Sequence, residues 1–403
     1  MTRGNRAARY GWVAVVGVVL AAPAPAEDDI TRALTTIKSV DREGKKNDSV
    51  GPAWRTLVAE GGPALLPTLA AIDDANPTAA NWLRTAVDAI AEAEANASRP
   101  LPATKLEAFV KDTKNAPSAR QLAYELLSKQ DKSAPDRLLP GFLNDPNPDL
   151  RRDAIAAELD RLTKADPATA KPALERLFGF SRDKDQVDAL VKKLGEAGVQ
   201  VSVAEHFAFL THWHLVGPFE SEKGKALILS YPPEMATDLA ATFPGKGGAK
   251  VGWKPYSTAD KYGQMDLNKF LGKSMNAAAY ARAVVNAESE TPCQIRVGSP
   301  NAVQIFLNGK KLFEREEYHH GMNLDHHTGL GVLRKGENVI LIKVCQNNQT
   351  DSWAQTWSFQ ARVCDATGGP LPGLTQVVLR GGQPVPLKLG ESPEPDAILE
   401  GKK

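Results

Sequence analysis

The 403-residue chain predicts a multidomain α + β protein, an N-terminal α-helical solenoid followed by an antiparallel β-sandwich. Two observations carry that expectation. From Asp28 to about Leu194 apolar residues recur at helical spacing. Past His206 they alternate in short runs separated by Gly, Pro and Asn clusters. Length points the same way, because one ordinary core rarely grows to this size. Hydrophobic residues at 42% and charged residues at 24% form a globular mixture, which argues against a disordered or membrane-embedded chain. Lys and Arg number 49 against 48 Asp and Glu, and no long basic run follows the first ten residues. Phosphate and anionic lipid both require clustered cations, so no nucleic acid and no polybasic membrane contact are expected.

The N-terminus predicts a signal peptide over residues 1–26. Arg3, Arg6 and Arg9 form a cationic start, and Tyr10 to Ala22 is uncharged and rich in Val and Ala. Ala24-Pro25-Ala26 offers small residues for a peptidase, with Glu27 and Asp28 after them. The apolar run is about 13 residues, short of the roughly 20 that span a bilayer. The expectation is cleavage near Ala26 and export to the periplasm or outside, with no membrane span in the mature chain. An uncleaved anchor is the competing reading. No Cys follows the apolar run, which argues against a lipid anchor.

The helical half is expected over residues 27–205. Leu65, Leu66, Leu69, Ala70 and Ile72 form one apolar stripe, and Trp82, Leu83, Ala86, Val87 and Ile90 the next. Asp73-Asp74-Ala75-Asn76-Pro77 separates them with a capping residue and a first-turn proline. The pattern recurs from Leu106, Phe109 and Val110 through Pro117 to Arg120, Leu122 and Leu126. It recurs again from Leu138, Leu139 and Phe142 through Pro148 to Arg151, Ala154 and Ile155. Pro77, Pro117 and Pro148 lie roughly 30–40 positions apart, as in paired-helix repeats. The stretch Leu138 to Leu159 resembles a HEAT repeat, and Gly62 to Ile90 resembles one more loosely. The resemblance implies a stacked solenoid offering a long surface to protein partners. A helix from about Ser181, with Val187, Leu190, Val191 and Leu194 on one face, is expected to dock this half onto the next.

The sandwich is expected over residues 206–366. Val303, Ile305 and Leu307 alternate with Gln304 and Phe306, and Asn308-Gly309 makes a two-residue hairpin turn. Val339 to Val344 is apolar enough for a central strand, and Trp357, Phe359, Ala361 and Val363 alternate with Ser358, Gln360 and Arg362. His212 to Phe219, with its Trp213 and Gly217-Pro218-Phe219, resembles the opening of galactose-binding-like jelly-roll domains. Asn308-Gly309-Lys310, and then Leu333, Gly336, Asn338, Lys343 and Val344, match two later motifs of that family in order. The resemblance covers about Trp213 to Asp365. It implies the jelly-roll fold; such domains are usually accessories in enzymes, and one fold hosts many functions, so the resemblance does not establish sugar binding. Residues 367–403 read as a Pro/Gly-rich tail with one edge strand around Val377-Val378-Leu379.

Three cysteines, Cys293, Cys345 and Cys364, cannot all pair. A hairpin about the Asn347 to Gln355 turn sets Cys345 opposite a residue near Thr356, away from Cys364, so structural thiols are the expectation. Haem, zinc-protease, serine-hydrolase and phosphate-loop signatures are missing from the sequence, so no enzyme activity, no catalytic residue and no cofactor are expected. One cluster has metal-ligating chemistry: His319, His320, Asp325, His326 and His327, beside Glu316 and Glu317. Against it, adjacent residues of an extended chain point to opposite faces, which leaves a solvated loop as the alternative. A second set suits a neutral glycan. Asn347, Asn348, Gln349, Asp351 and Trp353 combine amides and hydroxyl-binding groups with an aromatic face, and Tyr318 offers a second ring. The competing reading puts Trp353 back on the sheet as core. The function expected is an exported non-catalytic binding or scaffolding protein with glycan and protein partners. The alternatives are an interaction module without a ligand, or a hydrolase whose carboxylate pair is scattered in the sequence.

Overall fold

The computed structural model describes residues 26–392 apart from 42, 46, 222–223 and 236–237. The segment expected to be a signal peptide lies outside the described residues up to residue 25, as do residues 393–403. Two compact units divide the chain, Met1–Ala134 and Pro135–Lys403. Among the described residues no helix is long and apolar enough to cross a membrane.

The first unit holds α1 (Ala26–Lys38), α2 (Asn47–Glu60), α3 (Gly62–Ala70), α4 (Pro77–Asn96), α5 (Ala103–Lys111) and α6 (Pro117–Gln130). They pack in successive pairs, α1 with α2, α3 with α4 and α5 with α6. Leu65 and Leu69 on α3 and Leu83, Val87 and Ile90 on α4 are fully buried, each contributing about 2 kcal/mol by leaving water. Asn76 caps α4 by accepting hydrogen bonds from the amides of Thr78 (3.0 Å) and Ala79 (3.1 Å), and Pro77 occupies the first turn. Arg120, three residues after Pro117, is buried and donates its Nε to the Val110 carbonyl at 2.7 Å. The arginine thereby closes the C-terminal end of the preceding helix.

The second unit begins inside α7 (Ala134–Leu138) and continues with α8 (Pro148–Thr163), α9 (Pro167–Phe180), α10 (Lys184–Glu196) and α11 (Val203–Phe207). Asn147 caps α8 as Asn76 caps α4, accepting from the amides of Asp149 (2.8 Å) and Leu150 (3.1 Å). Arg151 is buried like Arg120 and donates to the Asp145 carbonyl at 2.7 Å. These helices belong to the same compact unit as the sheets, so compactness divides the chain about seventy residues before the expected change of period near His206. The cause is apolar packing: Val187 of α10 is buried in one cluster with Val203, Phe207, Phe209 and Tyr262. Lys261 reaches Asp188 at 2.9 Å across the same junction, and Arg151 reaches the Thr367 carbonyl at 3.3 Å.

The strands are β1 (His212–Glu220), β2 (Thr242–Pro244), β3 (Lys250–Gly252), β4 (Lys254–Ser257), β5 (Met265–Asp266), β6 (Ala277–Ala287) and β7 (Thr291–Gly298). β8 (Ala302–Leu307), β9 (Lys310–Arg315), β10 (His327–Leu333), β11 (Gly336–Gln346), β12 (Ser358–Cys364), β13 (Thr375–Arg380) and β14 (Gln383–Lys388) follow, with α12 (Leu267–Leu271) after β5. The large sheet runs β14-β13-β6-β11-β8-β9, with β1 also on β6 and β4 on β1; the small sheet runs β10-β7-β12-β5. All pairings are antiparallel. One apolar cluster takes Ala281, Ala283, Val303, Ile305, Ile340 and Ile342 from the large sheet and Ile295, Val297, Phe359, Ala361 and Val363 from the small one. Alternate residues of the large sheet, among them Tyr280, Phe306 and Leu341, face a second cluster capped by Leu227, Phe243 and Trp253. Both faces of β11 are therefore buried, which is why its sequence is nearly continuously apolar. Asn308 and Gly309 adopt φ of 52° and 80°, the left-handed pair that a two-residue hairpin requires, and Leu307 pairs with Lys310.

Two expectations are corrected. β11 and β12 form no hairpin; the connection between them crosses from one sheet to the other. Cys345 consequently lies opposite Ala278 and Ala302, not a residue near Thr356. All three cysteines are free and buried. The segment after residue 366 is no loose tail up to Gly390: β13 joins β6, β14 forms the sheet edge, and Leu389 enters the core. Gly390 donates to the Phe209 carbonyl at 2.7 Å with φ of 76°, and a Cβ there would lie 2.1 Å from the Ala204 oxygen. Only glycine fits that approach.

Candidate functional site

One end of the two sheets gathers the features with chemistry. The pairings Gln346 with Ala277, Cys345 with Ala302 and His327 with Val297 bring the loops 299–301, 316–326 and 347–357 to the same rim. Buried polar side chains hold these loops together. Asn301 Nδ2 donates to Gln346 Oε1 and to the Thr356 carbonyl, both at 3.0 Å. Gln346 Nε2 donates to the Ala354 carbonyl at 3.0 Å, and Ser299 Oγ to the Ser358 carbonyl at 2.8 Å. Fully satisfied buried networks of this kind fix a loop in one arrangement.

The anticipated glycan residues fall on this rim. Trp353 stands on a single turn of 3-10 helix, Ser352–Gln355, and the residue is 62% exposed instead of folded back as core. His319 lays its ring edge against the indole at a centroid distance of 5.2 Å and bonds through Nε2 to Asn347 Oδ1 at 3.1 Å. Asn347 Oδ1 also accepts from the Gln349 amide at 3.1 Å, while Asn348 and Asp351 are exposed. Asn347 therefore shapes the loop first. Tyr318 packs half-buried against the outer apolar cluster; its hydroxyl is buried and, among the described residues, has no hydrogen-bond partner. Burial pushes the Tyr318 phenol above its ordinary range.

The anticipated metal residues divide. His320, His326 and His327 bring ligand atoms within 4.8 Å of one another. His326 and His327 stack with centroids 4.4 Å apart, and His320 meets His326 edge-on at the same distance. Asp325 has φ of 58°, so the chain is turned just before β10, and His326 precedes the strand that His327 opens, so strand alternation does not part the two rings. Among the described residues neither ring nitrogen of His320, nor Nε2 of His327, has a hydrogen-bond partner, and all three atoms are buried. Burial and the neighbouring imidazoles lower both rings' pKa values, that of His327 to about 4, which leaves them neutral near pH 7. Glu317 Oε2 lies 3.9 Å from His326 Nε2. Two anticipated ligands are turned away. His319 belongs to the Trp353 contact, and Asp325 accepts from Arg296 NH1 at 2.8 Å and from Arg362 Nε at 2.7 Å. Burial raises the Asp325 pKa, and Arg362 and Arg296 outweigh it, so the carboxyl stays below its ordinary value.

A third feature escaped sequence reasoning. A notch of about 410 Å³ opens where β1 and β13 both leave room along β6, lined by His212, His214, Tyr256, Arg282, Glu337 and Arg380 among others. Arg282 Nε is buried without a partner among the described residues. The available signal was a lone cation within the alanine-rich strand Tyr280 to Val285, opposite two histidines two positions apart.

No known family model matches the chain, and no curated protein does. Among solved structures, a beta-glucosidase from Kluyveromyces marxianus in complex with glucose is 11% identical with a TM-score of 0.23, over 38% of this chain and 16% of that one. Its selenomethionine-labelled form gives the same identity and score. The PA14 domain of the MpAFP antifreeze protein is 11% identical with a TM-score of 0.16, over 29% of this chain and 54% of that domain. The chain spans about a sixth of the glucosidase, and likenesses this slight assign neither fold nor function.

Proposed function

We propose that the chain is an exported, non-catalytic binding protein whose β unit takes a neutral glycan at the rim around Trp353. The leader-like sequence supports export; paired helices with proline-capped starts support a HEAT-like solenoid; two antiparallel sheets sharing one core support a galactose-binding-like jelly roll. The observation that carries the ligand reading is Trp353 itself, 62% exposed on a hydrogen-bonded rim with Asn348, Gln349 and Asp351 beside it in the loop. An aromatic face bordered by amides and a carboxylate suits the C–H and hydroxyl surfaces of a sugar. Binding is favoured over hydrolysis in the notch, where Glu337 is the single carboxylate in the lining among the described residues and paired acids about 5 to 10 Å apart are required.

A second reading places an acidic glycan in the notch, and the partnerless Arg282 Nε favours it. A glycan array on the mature chain, with neutral and uronic-acid members, separates the two. Neutral binding should fall about 10-fold or more in Trp353→Ala. Acidic binding that survives Trp353→Ala and fails in Arg282→Gln moves the site to the notch. Silence across the array removes the glycan reading altogether.

A further inference from the structure

The rim loop 316–327 is anchored at two points, His319 and Asp325, and between and beside these anchors it presents imidazole nitrogens that are buried without a partner among the described residues. At one anchor His319 is left-handed (φ 64°), its amide donates to the Pro300 carbonyl at 2.7 Å, and its ring is spent on Asn347 and Trp353. The chain turn there sends the next side chain, His320, the other way. At the second anchor the Asp325 carboxylate is gripped by Arg296 and Arg362, which holds the left-handed turn ahead of β10. His326 follows that turn, and His327 opens the strand, 3% exposed, with its ring 5.3 Å from Phe313. Convergence is thus imposed by backbone and neighbours instead of by contacts among the three rings.

Buried polar atoms of native proteins are almost always hydrogen-bonded, and each exception asks for an explanation. Three such exceptions, both nitrogens of His320 and Nε2 of His327, fall in one spot. We propose that His320, His326 and His327 bind one divalent transition ion of the zinc–copper class, with Glu317, whose Oε1 is held by Arg315 Nε at 2.7 Å, offering its other oxygen 3.9 Å from His326 Nε2. The inference is independent of any glycan. Imidazole nitrogens with one carboxylate suit zinc, copper or nickel, whereas calcium and magnesium take shells of oxygen. Metal–nitrogen bonds of about 2.0–2.1 Å hold tetrahedral ligands roughly 3.4 Å apart. Binding would draw the ligand atoms in from their present separations of up to 4.8 Å. His326, whose side chain is 31% exposed, is the ring with room to swing out of its stack on His327.

Zinc chloride titrated into the untagged mature chain tests this by calorimetry. The expected result is one equivalent bound at micromolar dissociation constant or tighter. Outer-shell substitutions cost 10–100-fold in metal affinity, so His320→Ala and His326→Ala, which remove ligands, should cost at least about 100-fold. His319→Ala should leave affinity within about 3-fold, since its ring is engaged elsewhere. Melting curves of each variant establish that it folds, and cobalt absorption of the unsubstituted chain gives a readout that needs no variant: intense visible bands for a tetrahedral nitrogen-rich site. Binding no tighter than millimolar, or affinity unchanged in the folded His320→Ala and His326→Ala chains, overturns the proposal.

Discussion

Asp325 and His326 are consecutive residues with opposite fates. The carboxylate is enclosed by two arginines, one of them, Arg362, with a side chain only 1% exposed, and Arg362 also donates to the Gly368 carbonyl at 2.8 Å. The imidazole beside it meets two other histidines, and the group of three has buried nitrogens without partners among the described residues. The carboxylate and the imidazoles alike are groups that ligate metals. What separates structural from available chemistry is whether each donor and acceptor is already satisfied.

Breaking the satisfied cluster should have the larger effect. Asp325→Ala leaves Arg362 buried without its counter-ion, and removing one partner of a buried ion pair costs about 3–5 kcal/mol. Urea unfolding should show the midpoint falling accordingly; a loss under about 1 kcal/mol would mean that the carbonyl contacts alone sustain Arg362.

A histidine of the satisfied kind provides the next test. His206 bonds through Nε2 to the Ser181 carbonyl at 2.8 Å and packs 4.2 Å from the Phe178 ring. Burial is the main cause of its pKa falling to about 4. The unfolded chain takes up that proton near pH 6.5 and the folded one only near pH 4, so the unfolded state binds more protons between those values. Stability should therefore decline as pH drops from about 6.5 to 4, by up to about 3 kcal/mol from this residue, and be flat above that window. His206→Phe should flatten the decline in unfolding curves taken at pH 4.5 and 7; an unchanged slope would assign it to other groups.

Local chemistry was legible in the sequence wherever a few consecutive residues determine the outcome. Asn76-Pro77 and Asn147-Pro148 start helices as capping rules require, Arg120 and Arg151 recur at equal distance from their prolines, and Asn308-Gly309 turns its hairpin. Pairing between distant segments was not legible. The turn after Gln346 looks like a hairpin locally, yet Asn301 and Gln346 hydrogen-bond with the 354–356 backbone and direct the chain into the other sheet. The expected edge strand around Val377 has a further strand beyond it: β14 is the edge, where the missing amides of Pro384 and Pro386 are tolerated. The notch draws on β1, β4, β6, β11, β13 and β14, so no local motif marks it. The histidine cluster was visible as composition, but only the left-handed turns at His319 and Asp325 decide which rings converge.

The smallest effect is the most discriminating. His326→Ala removes a partly exposed ring that holds no hydrogen bond to the core among the described residues, so without metal its stability should stay within about 0.5 kcal/mol of the parent chain. One position away, Asp325→Ala is expected to cost several times more. Added zinc should then separate the two chains in the opposite sense. A ligand bound by the folded state alone stabilises it by RT ln(1 + [L]/Kd), about 2.7 kcal/mol at a hundredfold excess over Kd. The parent chain should therefore melt several degrees higher with zinc, and His326→Ala should not move. Equal shifts in both chains would place the zinc elsewhere. A large loss in His326→Ala before any metal is added would show that this ring, like Asp325, is part of the packing, and the contrast between neighbours would disappear.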